Sequence, residues 1–349
     1  MEGRNMPTVT AANPPPNTDK PSLKAIENLA NQHDAVQAQL AKAIVGQRTV
    51  IENVLLTVFC GGHALIIGVP GLAKTLLIHS LGKTLALSFK RIQFTPDLMP
   101  SDITGTDIIE EDPVTGKRRL EFLPGPVFAN LVLADEINRT PPKTQAAMLQ
   151  TMQEREVTIG NQTYPLPAPF HVFATQNPIE MEGTYILPEA QADRFMFSIN
   201  CTYPTNDEEE LVVRSTTGIE MPQLTPVLDA GQIVEIQKLV RAIPVSDEVV
   251  RYAVRLVSRT RPEDPASPNY VKEFVRWGAS PRASQYLILG AKARAAVAGS
   301  FCADYEGVRS VAREVLQHRI LTNFHARTQK MTPLNIIERL LQDITPDHP

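Results

Sequence analysis

An α/β fold, a parallel sheet flanked by helices and followed by a smaller helical unit, is predicted by three observations. The apolar, β-branched segment Ala64 to Ile67 runs into a turn bearing Gly68 and Gly71, and a helix-compatible stretch, Leu76 to Leu85, follows. Two more apolar segments of strand length, Leu131 to Ala134 and His171 to Ala174, end in the polar groups Asp135-Glu136 and Thr175-Gln176-Asn177-Pro178. Open parallel sheets build their sites at such carboxyl tips. Beyond Tyr203-Pro204 the composition shifts, and Ile233 to Ala242, Ser246 to Arg259, Arg282 to Ala298, Tyr305 to Leu316 and Leu334 to Leu341 read as helices.

The 349 residues, 43% hydrophobic and 21% charged, suffice for one large or two modest domains with proper cores. No apolar run reaches membrane-spanning length, and no charged segment followed by an apolar one opens the chain. A cytoplasmic protein without membrane insertion is expected. Cys60, Cys201 and Cys302 are far apart and lack metal-ligand spacing, so they read as reduced thiols. A net charge of -4 argues against a general nucleic-acid binder, which normally shows a basic face.

Taken in order, residues 1–21 are rich in Pro, Asn and Thr and read as a disordered tail. Ile26, Leu29, Val36, Leu40 and Ile44 fall near a helical period, which predicts a first helix ending at Ile44-Val45-Gly46-Gln47, where the glycine is an ordinary stop. A second helix, Arg48 to Cys60, leads through Gly61-Gly62 into the strand at Ala64. Phe89 to Phe94 reads as a strand. Two segments between Ile108 and Phe122 flank the turn Asp112-Pro113-Val114-Thr115-Gly116, which predicts a projecting hairpin. A helix, Lys143 to Gln153, precedes a second hairpin, Val157 to Ile159 turning at Gly160-Asn161 into Thr163 to Leu166; glycine first in a two-residue loop suits a type II′ turn. Phe195 to Ile199 is the last strand. Asp207 to Glu210 opens a helix, where acidic residues suit the dipole. Met221 to Pro226 is a linker, and Arg261 to Pro268 a polar, proline-rich loop. Domain boundaries follow: the tail at 1–21, an α/β core at 22–204, a linker and helical insertion at 205–240, and a helical lid at 241–349.

The chemistry concentrates at Gly68 to Thr75, Gly-Val-Pro-Gly-Leu-Ala-Lys-Thr. Glycines there let successive N–H groups turn inward around a polyphosphate, and the helix N-terminus adds its dipole. Lys74 would reach the β- and γ-phosphates, and the Thr75 hydroxyl would ligate Mg²⁺. Ala73 departs from the usual pattern, which has a second glycine before the lysine. The acidic pair Asp135-Glu136 at a second strand end supplies what phosphoryl transfer needs: one carboxylate for the Mg²⁺ shell, another to polarise the attacking water. Taken alone, such a pair is more often a solvated turn. On position alone, Arg194 pairs locally with Asp193 or Glu189, and Arg282, in the first turn of a helix opened by Ser280-Pro281, is a solvated cation set against the dipole.

Seven segments together resemble the MoxR family of AAA+ ATPases: Gly68 to Thr75; Arg91-Ile92-Gln93-Phe94-Thr95-Pro96-Asp97-Leu98-Met99-Pro100; Gly125-Pro126-Val127-Phe128; Ala134 to Arg139; Ala174 to Pro178; Leu187 to Arg194; and Gly278 to Arg282. The likeness spans Ile44 to about Arg319, and Ala73 is an accepted variant within it. It implies a P-loop AAA+ core with β-hairpin insertions plus a separate small helical lid, binding ATP and Mg²⁺. Gly68, Gly71, Leu72, Ala73, Lys74, Thr75 and Leu76 would cradle the nucleotide, with Val45 and Gly46 at the adenine. Asn177 matches the sensor 1 position, and Arg194 matches the arginine finger that acts on a neighbouring subunit. Arg282 matches sensor 2, in cis or in trans. The resemblance further implies a homo-oligomeric ring, a hexamer by family likeness. Proteins similar to it remodel, mature or activate client proteins, often beside a partner with a von Willebrand factor A-type domain. Two rivals are weighed against this reading. A nucleic-acid motor subunit would use basic hairpin residues such as Lys117-Arg118-Arg119. A nucleotide-gated scaffold without turnover would not need Lys74, Asp135, Glu136, Asn177 and Arg194 together. Neither hairpin tip offers an aromatic for gripping peptide, which counts against a threading unfoldase.

Overall fold

Short runs of Val, Ile, Leu and Phe bury on both sides and form five parallel strands: β1 (Ala64–Ile67), β2 (Phe89–Gln93), β3 (Leu131–Asp135), β4 (His171–Gln176) and β5 (Phe197–Asn200), in the order β2-β3-β4-β1-β5. This computed structural model describes residues 22–111, 118–179, 185, 187–218 and 222–345. The tail at 1–21, the hairpin turn at Asp112 to Gly116, Lys117, and Met221 of the linker lie outside the described residues. Alternation along β3 divides the core: Leu131 and Leu133 join one apolar cluster, Val132 and Ala134 the other. Continuous apolar strands of this kind belong to sheets covered on both faces.

Helices α1 (Leu23–Leu40), α2 (Arg48–Phe59) and α3 (Lys74–Thr84) bury apolar faces in the first cluster, and α4 (Pro142–Glu154) places Met148, Leu149 and Met152 in the second. Helix α1 ends at Leu40, four residues short of the Ile44 its periodicity predicts. The chain tightens through Lys42 N to Gln39 O at 3.1 Å and Ala43 N to Leu40 O at 3.0 Å, then reverses through left-handed Gly46 (φ +65°) and Gln47 (φ 50°). Ile44 stays buried across that reversal, which is why the apolar spacing outlasts the helix.

Both predicted hairpins are present. Gly105–Glu111 pairs with Arg118–Pro124, and Glu156–Ile159 with Gln162–Pro165, where Gly160 takes the positive φ (56°) its loop position requires. They meet through Phe122 and Tyr164, stacked with centroids 4.1 Å apart. The two described arginines of the first hairpin are paired within it. Arg118 pairs with Glu111 at 3.1 Å, and Arg119 with Glu110 at 2.6 Å and Glu121 at 3.3 Å.

After β5 the chain is mainly helical: α5 (Asn206–Thr216), α6 (Ala230–Ala242), α7 (Asp247–Ser258), α8 (Pro281–Val297), α9 (Tyr305–Leu316) and α10 (Pro333–Asp343). Helix α5 opens on a capping box between Thr205 and Glu208 and buries nothing. Helix α6 runs unbroken across position 240. Small residues on α8 let α9 approach, and a Cβ on Gly290 would stand 3.0 Å from Val311 Cγ2. Two short strands unannounced by the sequence, Val275–Trp277 and Leu321–Thr322, pair antiparallel; at two or three residues neither carries a readable period. Cys60, Cys201 and Cys302 are free thiols. No helix among the described residues is long and apolar enough to cross a membrane.

Gly278 sets where α8 begins. A Cβ there would lie 2.4 Å from the Thr260 carbonyl oxygen and 2.7 Å from Arg261 Cα, both rigid backbone. Gly278→Ala is therefore expected to cost about 1–3 kcal/mol in chemical denaturation, as overpacking does, and to displace Arg282 four residues on.

Candidate active site

The glycine-rich turn joins β1 to α3. Gly71 has φ +87° with open space where a Cβ would be, so its glycine is demanded by conformation and not by packing. Ala73 is also left-handed, at φ 56° and ψ 20°. That is the angle the glycine of the usual pattern would hold without strain, and alanine holds it at a cost of about 1–2 kcal/mol. Lys74, the first residue of α3, turns its ammonium back to donate to the carbonyls of Gly68 and, at 2.9 Å, Val69. Burial pushes its pKa below the ordinary lysine value, and the nearby Cys201, Asp135 and Glu136 oppose that shift. Thr75 is half-buried beside it, Leu72 is buried, and Leu76 is exposed.

The strand tips close on this loop. Gly68 N donates to Gln176 O at 3.2 Å, tying the turn to the end of β4. Asp135, 7% exposed, accepts from Thr175 Oγ1 at 2.5 Å and from Arg91 Nη2 at 2.6 Å. Glu136 is left-handed (φ 58°), with its amide held by Thr175 Oγ1 at 2.8 Å and its carboxylate by Gln93 Nε2 at 2.9 Å and Arg139 Nε at 3.1 Å. Strained backbone of this kind persists where surrounding contacts over-determine it. Asn177 is buried one residue past β4, and its Oδ1 accepts from Ile179 N at 3.1 Å. Sequence reasoning assigned no role to Arg91, Gln93 or Thr175. A signal was present in part: Arg91 and Gln93 are polar residues two apart on one face of a strand, and Gln93 registers with Asp135.

These side chains suit a nucleotide with a divalent cation. An ammonium, a half-buried hydroxyl and one buried carboxylate stand beside a turn with positive-φ residues. No group of three or more His, Cys, Asp or Glu side chains among the described residues could hold a metal by itself. The Thr75 hydroxyl and the Asp135 carboxylate suit Mg²⁺, which binds through one or two protein oxygens plus phosphates and waters. Val45 and Gly46 lie next to the loop, linked to it by Gln47 Nε2 to Leu72 O at 3.4 Å, and line a cavity of about 830 Å³ with His33, Ile44, Ile51 and Leu211. The Glu208 carboxylate of α5 lies against Gly46.

Arg194 and Arg282 stand elsewhere. Arg194 follows the short helix Glu189–Ala192 and donates to Leu149 O at 2.7 Å; it pairs with neither Asp193 nor Glu189, correcting the local ion pair its position suggests. Asp193 is already engaged by Arg319 Nε at 2.7 Å, Arg282 Nη1 at 3.3 Å and Ser280 Oγ at 2.9 Å. Arg282 is likewise not a free surface cation. Both arginines line a cavity of about 220 Å³ to which no residue from Gly68 to Leu76 contributes. The structure thus brings Lys74, Thr75, Asp135, Glu136 and Asn177 into one place and Arg194 with Arg282 into another.

Residues 63–197 match the ATPase family associated with various cellular activities (AAA), and residues 267–340 match the AAA lid domain. The chain is 43% identical over 307 residues to "Chaperone MoxR1" of Mycobacterium tuberculosis, covering 88% of this chain and 80% of that protein. It is 29% identical to "Protein MoxR" of Methylorubrum extorquens, covering 87% and 92%. A crystal structure of a protein assigned as an ATPase from Cytophaga hutchinsonii superposes with a TM-score of 0.85 at 40% identity, covering 92% of this chain and 96% of that one.

Proposed function

The chain belongs to the MoxR family of AAA+ ATPases, and from that premise we propose that it hydrolyses ATP in a ring of subunits, six by family likeness, whose active sites are shared between neighbours. The observation that carries this reading is the separation of Arg194 and Arg282 from the loop bearing Lys74. Within one chain the arginines face a different cavity; across an interface they would face a neighbour's phosphates. Arg282 acts in trans on this reading, beside Arg194. The core ends at 204, and the lid starts at the break after Ala242.

The residues divide the work. Val45 and Gly46 hold the adenine in the larger cavity. Backbone amides between Gly71 and Leu76 and the Lys74 ammonium take the phosphates, releasing the loop carbonyls that Lys74 now engages. Thr75 and Asp135 would hold Mg²⁺, which when bound neutralises charge on the phosphates. Arg91, now on Asp135, would give way to it. Glu136 takes a proton from the attacking water, which Asn177 orients, and Gln93 and Arg139 hold Glu136 in place. Arg194 of the adjacent subunit stabilises the charge on the transferring phosphoryl group.

The relative from Mycobacterium tuberculosis is named a chaperone; by extension, turnover here drives remodelling or activation of a client protein, with a von Willebrand factor A-type partner as a candidate. Arg118 and Arg119 are occupied by cross-strand glutamates, which weighs against the nucleic-acid motor reading among the described residues of that hairpin. The test is steady-state ATPase activity against protein concentration, with mass measured alongside, for wild type and Glu136→Gln. Activity is expected to rise cooperatively with assembly, and Glu136→Gln to turn over about 10²- to 10⁴-fold more slowly while keeping ATP-bound rings. A chain that binds ATP as a monomer and never turns over would replace this reading with the scaffold.

A further inference from the structure

Four arginines from four separate elements converge on the 220 Å³ cavity: Arg155 at the end of α4, Arg194 after the short helix, Arg241 near the end of α6 and Arg282 in the first turn of α8. None of the residues lining it is an aspartate or glutamate. Arg155 Nη2 donates to Gly61 O at 3.0 Å and Arg194 Nη1 to Leu149 O at 2.7 Å, both neutral carbonyls. The Arg241 side chain has no acceptor among the described residues. Arg282 shares Asp193 with the buried Arg319. Nor do the imidazoles beside them change the balance. Burial, helped by the Arg155 charge, lowers His63 to about 3 and His171 to about 4, so both are neutral at pH 7.

We propose that Arg155 and Arg241 complete, with Arg194 and Arg282, a polyphosphate pocket that receives the phosphates of the nucleotide held by a second copy of this chain. The inference rests on the shared-site reading above and adds two residues to it. Like charges gathered in one concavity repel; Asp193, shared with Arg319, relieves Arg282 alone, and no carboxylate lines the cavity to relieve Arg155, Arg194 and Arg241, so an anion is the missing counterpart. Guanidinium forks match phosphate oxygens bidentately, and several in one pocket suit a chain of phosphates better than a single carboxylate. A cavity of this size has space for the phosphate end of a nucleotide. Because residues 68–76 stay out of the cavity, the phosphates come from outside the subunit. Free polyphosphate shares that chemistry and is the other source to distinguish.

The experiment uses the full chain with Arg241→Gln, Arg155→Gln and the corresponding lysine variants. Each glutamine variant is expected to lower kcat about 10- to 100-fold, the worth of a charge-assisted hydrogen bond. Affinity for a fluorescent ADP analogue, measured where the chain is a single subunit, should not change, and lysine should recover part of the loss. Mixing Arg241→Gln with Lys74→Ala subunits should restore turnover above the sum of the two. Such a mixture joins an intact loop on one subunit to an intact arginine pocket on the next. Wild-type kcat in both glutamine variants, with Arg194→Ala inactive, would overturn the inference and leave the shared-site reading standing. No recovery on mixing would also overturn it. Tight binding of tripolyphosphate to single wild-type subunits, lost in Arg241→Gln, would assign the pocket to free polyphosphate instead. Failure of the wild type to assemble or turn over would remove the parent reading itself.

Discussion

Replacing Arg194 with alanine is expected to leave ATP binding in place and to lower turnover by about 10³- to 10⁵-fold, the range a finger arginine contributes in related phosphoryl-transfer switches. The fold makes this a clean test. Arg194 is half-buried, and among the described residues its side chain makes one hydrogen bond, to the Leu149 carbonyl at 2.7 Å. Its backbone carbonyl accepts from Tyr286 at 3.3 Å, a contact alanine keeps. Truncation should therefore cost only about 1 kcal/mol of stability, the usual net worth of one such bond. A fall in turnover far beyond that cannot come from unfolding. Nucleotide affinity, thermal unfolding and single-turnover hydrolysis measured on one preparation separate the three effects. Full turnover in the assembled variant would refute the trans role.

What the sequence made legible follows physical locality. The loop, its lysine and the acidic pair could be read because a strand, a turn and a helix start fix the spacing over a few residues, and polar side chains at the tips of apolar strands stand out. The hairpin at Gly160 was legible for the same reason: one glycine supplies the positive φ. What was not legible depends on distant partners. Asp193 sits beside Arg194 in sequence, yet its carboxylate serves Arg282 and Arg319, 89 and 126 residues away. No local pattern announces a carboxylate claimed by two arginines of another segment. Arg91 and Gln93 fall between these cases, since alternation shows that they share a face and only the parallel register with β3 shows what they face. The fourfold arginine cavity was invisible for the strongest version of this reason, its members spanning positions 155 to 282 on unconnected elements.

Arg319→Ala is expected to be the most destabilising of these substitutions, by about 3–5 kcal/mol, because it removes the buried partner of an ion pair and leaves Asp193 with the weaker contacts of Arg282 at 3.3 Å and Ser280. Arg319 is 5% exposed. Its Nε meets Asp193 Oδ1 at 2.7 Å, and its Nη2 donates to the carbonyls of Asp193 at 2.8 Å and Phe195 at 2.6 Å. Its Nη1 donates to Met196 O at 3.3 Å and to the Val315 carbonyl, and the guanidinium lies 5.2 Å from the Tyr286 ring centroid. One side chain from beyond α9 thus pins the segment 193–196, which carries Arg194 and leads into β5. Its loss should act on turnover as well as stability, since Arg194 loses the backbone that aims it. A double-mutant cycle with Asp193→Asn, read by urea unfolding, isolates the pair. Strong non-additivity is expected, because once Arg319 is gone Asp193 has only Arg282 and Ser280 left to lose. Additive effects would mean that the backbone carbonyls, and not the carboxylate, hold Arg319, and the strut would then act through Phe195 and Met196 instead of through Asp193.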